Sequence, residues 1–427
     1  MRCISRLLTA GLLLSVLISS AAASASKYRW RKGVATISIS TSITSNISNI
    51  AANADVTGAI DHSISAWQQA AAVTLRHLST AEQNASPAGI QGDGVSLLTI
   101  AATPENIALF PDGLDDATAR TRVFYDARGF ITEADIVLNP YLQFSTDGTP
   151  GTFDLESTLT HEFGHLLGLT HSPVIGATMN DNYGRNGVYN LPAFSARTLS
   201  SDDIAAVRSL YGPADSSDDC CGRLYGKLLL TGGKPAANYT VWAEDAEDGR
   251  VVAAVTANAD GSFKIGGLPV GKMRLLAQNT DPDSPSAATE LGDVSISVKQ
   301  PVAVARKIEK TTVDSHLDYL GFNGQIAEIA VPVNSGNSYL LMGGSSSLGE
   351  DSIIESSSDV ISIEPTVFTG NFANHIRTLG FEVSVSPTAP NGEYSVALRS
   401  ASGERRFLIG GITVEKFPNF WSTANFK

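Results

Sequence analysis

LTHEFGHLLGLTHS, residues 159–172, places His161, Glu162, His165 and His171 within eleven positions, in a chain of 427 residues that has only seven histidines. On an α-helix, residues i and i+4 lie on one face a turn apart, so His161 and His165 can aim both imidazoles at one point. Gly168 stands three residues after the second histidine, where a chain leaving a helix needs a positive φ. Three residues further, His171 can swing back toward the helix face. Glu162 borders the same point without having to be a ligand. Three neutral nitrogens folded together leave at least one coordination position for water, the open geometry of a catalytic zinc site. An isolated HExxH arises by chance on amphipathic helices, where its histidines are surface or core residues. The added glycine and third histidine speak against that, and His62, His77, His316 and His375 are scattered, so general histidine enrichment is no explanation.

Outward from this stretch, Asp154 fits the N-cap of a helix running DLESTLTHEFGHLLG, with Gly168 as its stop. SSDDIAAVRSLYG (200–212) opens on Ser and Asp and ends at Gly212-Pro213, and VTGAIDHSISAWQQAAAV (56–73) spaces its apolar residues helically. VATISIS (34–40), VSLLTI (95–100), RVFYD (122–126) and FITEADIVLN (130–139) read as strands. Strands interleaved with helices predict an α/β layer.

These residues carry a resemblance. HEFGHLLGLTH fits the HExxHxxGxxH signature of the metzincin metalloproteases. Met179, eight residues after His171, resembles the Met-turn of the matrixin branch. LSSDDIAAVRSLYG (199–212) resembles that branch's last helix, and KYRWRKGVATISI and EADIVLN also look matrixin-like. The resemblance covers residues 27–213. It implies a twisted, mostly parallel mixed sheet with three helices and an antiparallel edge strand rimming a cleft. It also implies His161, His165 and His171 as zinc ligands, Glu162 as general base and Met179 as the hydrophobic floor. Asp202 and Asp203 match the acidic pair that begins the family's last helix, and are read as structural. The sequence departs from the family in having no histidine between His77 and His161, which argues against a second, structural zinc. The cysteine-based latency segment has no match, and Met179 is followed by Asn-Asp-Asn-Tyr. Structural Ca2+ has candidate loops in FPDGLDD (110–116) and STDGTP (145–150), although such Asp-Gly stretches are usually turns.

After Pro213 the helical periodicity fades. Residues 214–222 read as a polar linker, and short alternating runs separated by Gly and Asn turns then predict two β-sandwich domains, 223–300 and 317–427. The run DGSFKIGGLPVG resembles a carboxypeptidase-regulatory-like, prealbumin-type sandwich. The last domain resembles an immunoglobulin-like or IPT-like sandwich. Such domains either hold a cell-surface or glycan ligand or act as spacers, and no aromatic or charged cluster stands out to favour a ligand.

An apolar content of 43% with 17% charged residues is that of a globular protein. The first 25 residues read as a signal peptide, with a basic start, the apolar run LLTAGLLLSVLI and Ala-x-Ala cleavage sites. No stretch predicts a membrane span, so the expectation is a secreted or periplasmic protein. A net charge of −13 argues against nucleic acid or an anionic membrane as partner. Cys3 falls in the leader, leaving adjacent Cys220 and Cys221, which could form a vicinal disulfide, stay free or link two chains. The functional expectation is an exported zinc-dependent endopeptidase acting on protein or peptide. The alternative is a surface-binding, adhesin-like protein whose protease domain is narrow in specificity or inactive.

Overall fold

The computed structural model describes residues 28–415 except 46, 88–91, 183, 216–219, 282–284, 314–316, 345–347, 349–351 and 373–375. The leader, Cys3, His316 and His375 lie outside the described residues.

Strands β1 (Arg29–Trp30), β2 (Val34–Ser40), β3 (Thr74–Thr80), β4 (Ser96–Thr99), β5 (Ala119–Tyr125) and β6 (Phe130–Leu138) form one sheet in the order β1-β6-β4-β2-β3, with β5 paired to β6. All pairings are parallel except β5 with β6, which is antiparallel. β5 is therefore an edge strand. Parallel neighbours need crossovers, and helix α2 (Val56–Ala70), after the one-turn α1 (Thr41–Thr44), makes that between β2 and β3. The short α3 (Pro104–Ile107) follows β4, and the two-residue β7 (Phe144–Ser145) and β8 (Phe153–Asp154) pair before α4 (Leu155–Leu166). The last helix is α5 (Ser201–Tyr211). Its N-cap Ser200 and Asp203 form a reciprocal capping box, the arrangement that an acid three residues after Ser favours.

Helix α4 is buried along nearly its whole length, which an isolated amphipathic helix would not be. Three aromatic side chains fasten it. Trp67 Nε1 donates to Thr160 O (2.8 Å), Trp30 Nε1 to Leu166 O (2.8 Å) and the Tyr211 hydroxyl to Leu167 O (2.6 Å). The last two satisfy carbonyls that a helix C-terminus leaves without partners. At the other end Asp154 caps the helix by accepting from Ser157 N, and Arg197 clasps its carboxylate through two nitrogens, at 2.6 and 2.9 Å.

Beyond Pro213 the described residues contain strands and no helix. Cys220–Leu230, flanked by Ser262–Pro269 and Val302–Ile308, makes a three-stranded sheet, and Val251–Thr256, Tyr239–Asp245, Gly271–Asn279 and Thr289–Ile296 make a four-stranded one. The two share a core that includes Leu224, Phe263 and Val304 from one and Val241 and Leu275 from the other. Two details differ from the sequence reading. The first strand begins at Cys220, inside the stretch read as linker, and its first two residues are joined by a disulfide. Val302–Ile308, outside both predicted domains, is a strand of the first of them, and its partner is a parallel strand more than 70 residues earlier that no local turn announces.

From Leu317 a six-stranded and a four-stranded sheet share a second core around Leu340, Phe381, Tyr394 and Ile412. QIAEIAVPV, which reads as one strand, is split. Gln325–Ala327 belongs to the six-stranded sheet and Val331–Val333 to the four-stranded one. The chain crosses between sheets at residues 328–330, a bend that a hydrophobic alternation cannot reveal. A further cluster draws on all three parts of the chain: Val174 and Ala177, then Trp242 and Leu276, then Phe407 and Ile409. No described helix is long and apolar enough to cross a membrane.

Candidate metal centre and cleft

The i,i+4 spacing brings His161 and His165 together as the helix geometry requires, with Nε2 atoms 2.9 Å apart. Gly168 has φ +96°, and a Cβ there would meet Tyr28 O at 2.2 Å, so a side chain is excluded by both conformation and space. The turn it makes returns His171, and one nitrogen from each of the three imidazoles lies within 4.8 Å of the others. The remaining nitrogens of the two helical histidines are held by backbone. His161 Nδ1 donates to Thr178 O (2.7 Å) and His165 Nδ1 to Leu169 O (2.9 Å). Both Nε2 atoms therefore present lone pairs to each other, an arrangement that is repulsive without a cation between them. Burial holds His161 and His171 below the ordinary imidazole range and takes His165 to about 3, keeping all three neutral, the form that coordinates metal. The donor set fits zinc.

Met179, 1% exposed, lies against Gly164, the residue before His165. A Cβ at Gly164 would meet its sulfur at 2.2 Å, so the helix is bare of a side chain where the methionine packs. The segment carrying Met179 is strapped in place. Ser172 N donates to Met179 O (2.7 Å), and Asp203 accepts from Thr178 N (2.8 Å) and Met179 N (3.0 Å). Asp203 thus joins the start of α5 to the carbonyl that orients His161.

Glu162 is 3% exposed and is not one of the three converging groups. Its Oε2 accepts from the Thr121 hydroxyl on β5 at 2.5 Å. Burial pushes its carboxyl up to about 7, against the pull of that hydrogen bond and of Arg120. Thr121 is a site residue that the sequence did not reveal, since nothing in a strand pattern marks which threonine will face a helix 41 residues later. One aspartate in each of the two candidate calcium loops has side-chain partners within the protein. Asp116 pairs with Arg120 (2.5 Å), and Asp147 accepts from Thr149 and Asn53.

The sequence model of the matrixin family matches residues 112–212. That stretch contains β5, β6, α4, the Met179 segment and α5. Over 70 residues the chain is 39% identical to matrilysin of Mus musculus, covering 16% of this chain and 24% of that protein. It is 41% identical over 64 residues to interstitial collagenase of Equus caballus (15% and 12%) and 44% over 72 residues to hatching enzyme of Paracentrotus lividus (17% and 11%). The chain thus spans a quarter or less of the curated relatives it matches here. The major pilin subunit BcpA of Bacillus cereus aligns over 44% of this chain and 66% of that one at 12% identity, with a TM-score of 0.19.

A second group of acids lies where α5 meets both β-regions. Asp202 Oδ1 accepts from Ala254 N (2.6 Å) and its Oδ2 from the Ser172 hydroxyl (2.5 Å), while Glu393 stands close enough to be repelled by both aspartates. Burial first, and mutual repulsion second, raise Asp202 to about 7 and Glu393 to about 8. The folded chain therefore holds protons that the unfolded chain releases. Stability present at acid pH is lost as pH rises through those two values. The midpoint of thermal unfolding should fall by several degrees between pH 6 and pH 9. Glu393→Gln, which removes the charge and keeps the shape, should flatten that slope, and an unchanged slope would refute the linkage.

Proposed function

We propose that this chain is a zinc-dependent endopeptidase of matrixin type, exported, with residues 27–213 as its catalytic domain and the two β-regions as accessory sandwich domains. The observation that carries the reading is the convergence of three neutral imidazoles, two of them oriented by backbone carbonyls, beside a buried glutamate that is free of them. The resemblance to matrixins over residues 112–212 points the same way.

His161, His165 and His171 would hold the ion. Zinc there supplies Lewis acidity and brings the pKa of a bound water from about 15.7 to near 7. Glu162 is the proton carrier. Its carboxyl, pushed up to about 7 by burial, suits it to accept a proton at neutral pH and pass it to the departing amine. Thr121, by donating to one carboxylate oxygen, holds the other in a fixed direction. Burial of Phe163 and Met179 keeps bulk water from the ligand side. Among the described residues β5 pairs only with β6, so its other edge would offer an extended peptide main-chain hydrogen bonds beside Glu162 in the manner of strand addition.

The test is hydrolysis of unfolded casein by the full chain, before and after zinc removal with a chelator, and again after zinc is restored. Activity is expected to vanish and return in step with zinc content. Zinc-loaded protein that leaves casein and a panel of denatured proteins intact would overturn the endopeptidase reading.

A further inference from the structure

A cluster of positive charge stands at the Phe130 end of β6. KYRWRK, residues 27–32, has four basic residues and no acid, in a chain whose 43 acidic residues outnumber its 30 lysines and arginines. The parallel pairing of β1 with β6 sets Arg29 beside Phe130 on one face of the sheet. Arg29 N also donates to Gly129 O (3.3 Å), which ties β1 to the turn that carries Arg128. The guanidinium carbons of Arg29, Arg31 and Arg128 lie over the Phe130 ring, 5.9, 5.0 and 5.7 Å from its centre. Three cations from two separate segments are thus gathered around one aromatic ring, with Lys32 next to them in the chain.

Little in the fold cancels that charge. Asp126 pairs with Arg128 (2.8 Å), and the same carboxylate accepts from the amides of Arg128 (2.9 Å) and Phe130 (3.0 Å), so it serves to close the turn. Among the described residues no ion pair joins Arg29, Arg31 or Lys32 to an acid. All four basic side chains are exposed, Arg128 to 67%. Like charges held together repel, and the ring offsets only part of that. What the ring does is restrict the planar heads while their stems cover it, so less freedom is lost when they meet an oxyanion. Guanidinium binds sulfate, carboxylate and phosphate through paired N–H donors. The patch is complementary to an anionic partner.

The shape of that partner follows from the rest of the chain. With a net charge of −13, the molecule as a whole repels a broad anionic surface. Screening limits attraction to groups within about 8 Å of the cations at physiological salt. A narrow chain can touch the patch alone, whereas a duplex or a bilayer brings its charge against the acidic remainder. We infer that Arg29, Arg31, Lys32 and Arg128, ordered around Phe130, form a binding surface for a linear polysaccharide bearing sulfate or carboxylate groups. The surface is independent of the histidine site and would tether the chain to a matrix of such polymer.

The experiment is calorimetric titration of a heparin octasaccharide into the full chain at about 0.15 M salt. A single-stranded thymidine oligonucleotide of equal charge is titrated beside it, as are vesicles of phosphatidylcholine and phosphatidylserine in equal parts. The octasaccharide is expected to bind more tightly than either, with an affinity that falls as salt rises. Arg31→Gln combined with Arg128→Gln should weaken it about 10-fold or more, since both lost heads make charge-assisted contacts. Arg223→Gln combined with Lys272→Gln removes the same charge from exposed positions of the first β-region, and should leave affinity within about 2-fold. Arg31→Lys combined with Arg128→Lys keeps the charge without the planar heads, and should fall between. Equal weakening by the two glutamine pairs overturns the proposal, because net charge and not the patch would then hold the ligand. So does failure of the wild type to bind the octasaccharide, or tighter binding of the oligonucleotide or the vesicles.

Discussion

Glu162→Gln should lower casein hydrolysis by about 10²–10⁴-fold while the chain keeps its zinc. The amide has nearly the shape of the carboxylate and can still accept from Thr121, so the fold is unaffected. What is lost is the capacity to take a proton and give it back. In the proposed site three imidazoles would hold the ion and Glu162 is not among them, so zinc content is expected to stay at the wild-type level. The comparison therefore separates proton transfer from metal binding, which chelation alone cannot do. Full activity in the amide variant would remove Glu162 from the mechanism, and loss of zinc with the activity would make it a ligand instead.

Asp203→Ala is expected to destabilise the chain by about 3 kcal/mol or more and to weaken zinc binding about 10–100-fold. The carboxylate accepts from Ser200 N, Thr178 N and Met179 N and from the Ser200 hydroxyl. Its removal strands buried donors that each cost about 1–3 kcal/mol when unsatisfied. Relief of repulsion among the three buried acids offsets part of that, so the sum of the individual costs is not reached. The effect on zinc follows from the chain of contacts. Asp203 fixes the Thr178 amide, and the Thr178 carbonyl orients His161. Denaturant midpoints and competitive zinc titration measure the two effects. A variant with both values near wild type would show that the turn holds itself. Asp203→Asn, which retains one acceptor oxygen, should fall between.

Asp116 and Asp147, in the two candidate calcium loops, have partners that the sequence does not reveal: Arg120 for the first, Thr149 and Asn53 for the second. Cys220 and Cys221 are similar. Adjacency left three outcomes open, and the structure joins them to each other.

The histidine site was legible because its parts are local. Helical spacing aligns His161 with His165, an N-cap starts the helix, and a glycine that alone tolerates φ near +96° ends it and returns His171. Those are properties of the eighteen consecutive residues 154–171, and they follow from backbone geometry. The rest of the site depends on partners far along the chain: Thr121 for Glu162 and Asp203 for the Met179 turn. A threonine in a strand and an aspartate at a helix start each have many local uses. Which one each serves is decided when the sheet and α5 pack around α4, because hydrogen bonds over such separations are set by the fold and leave no periodic mark in the sequence.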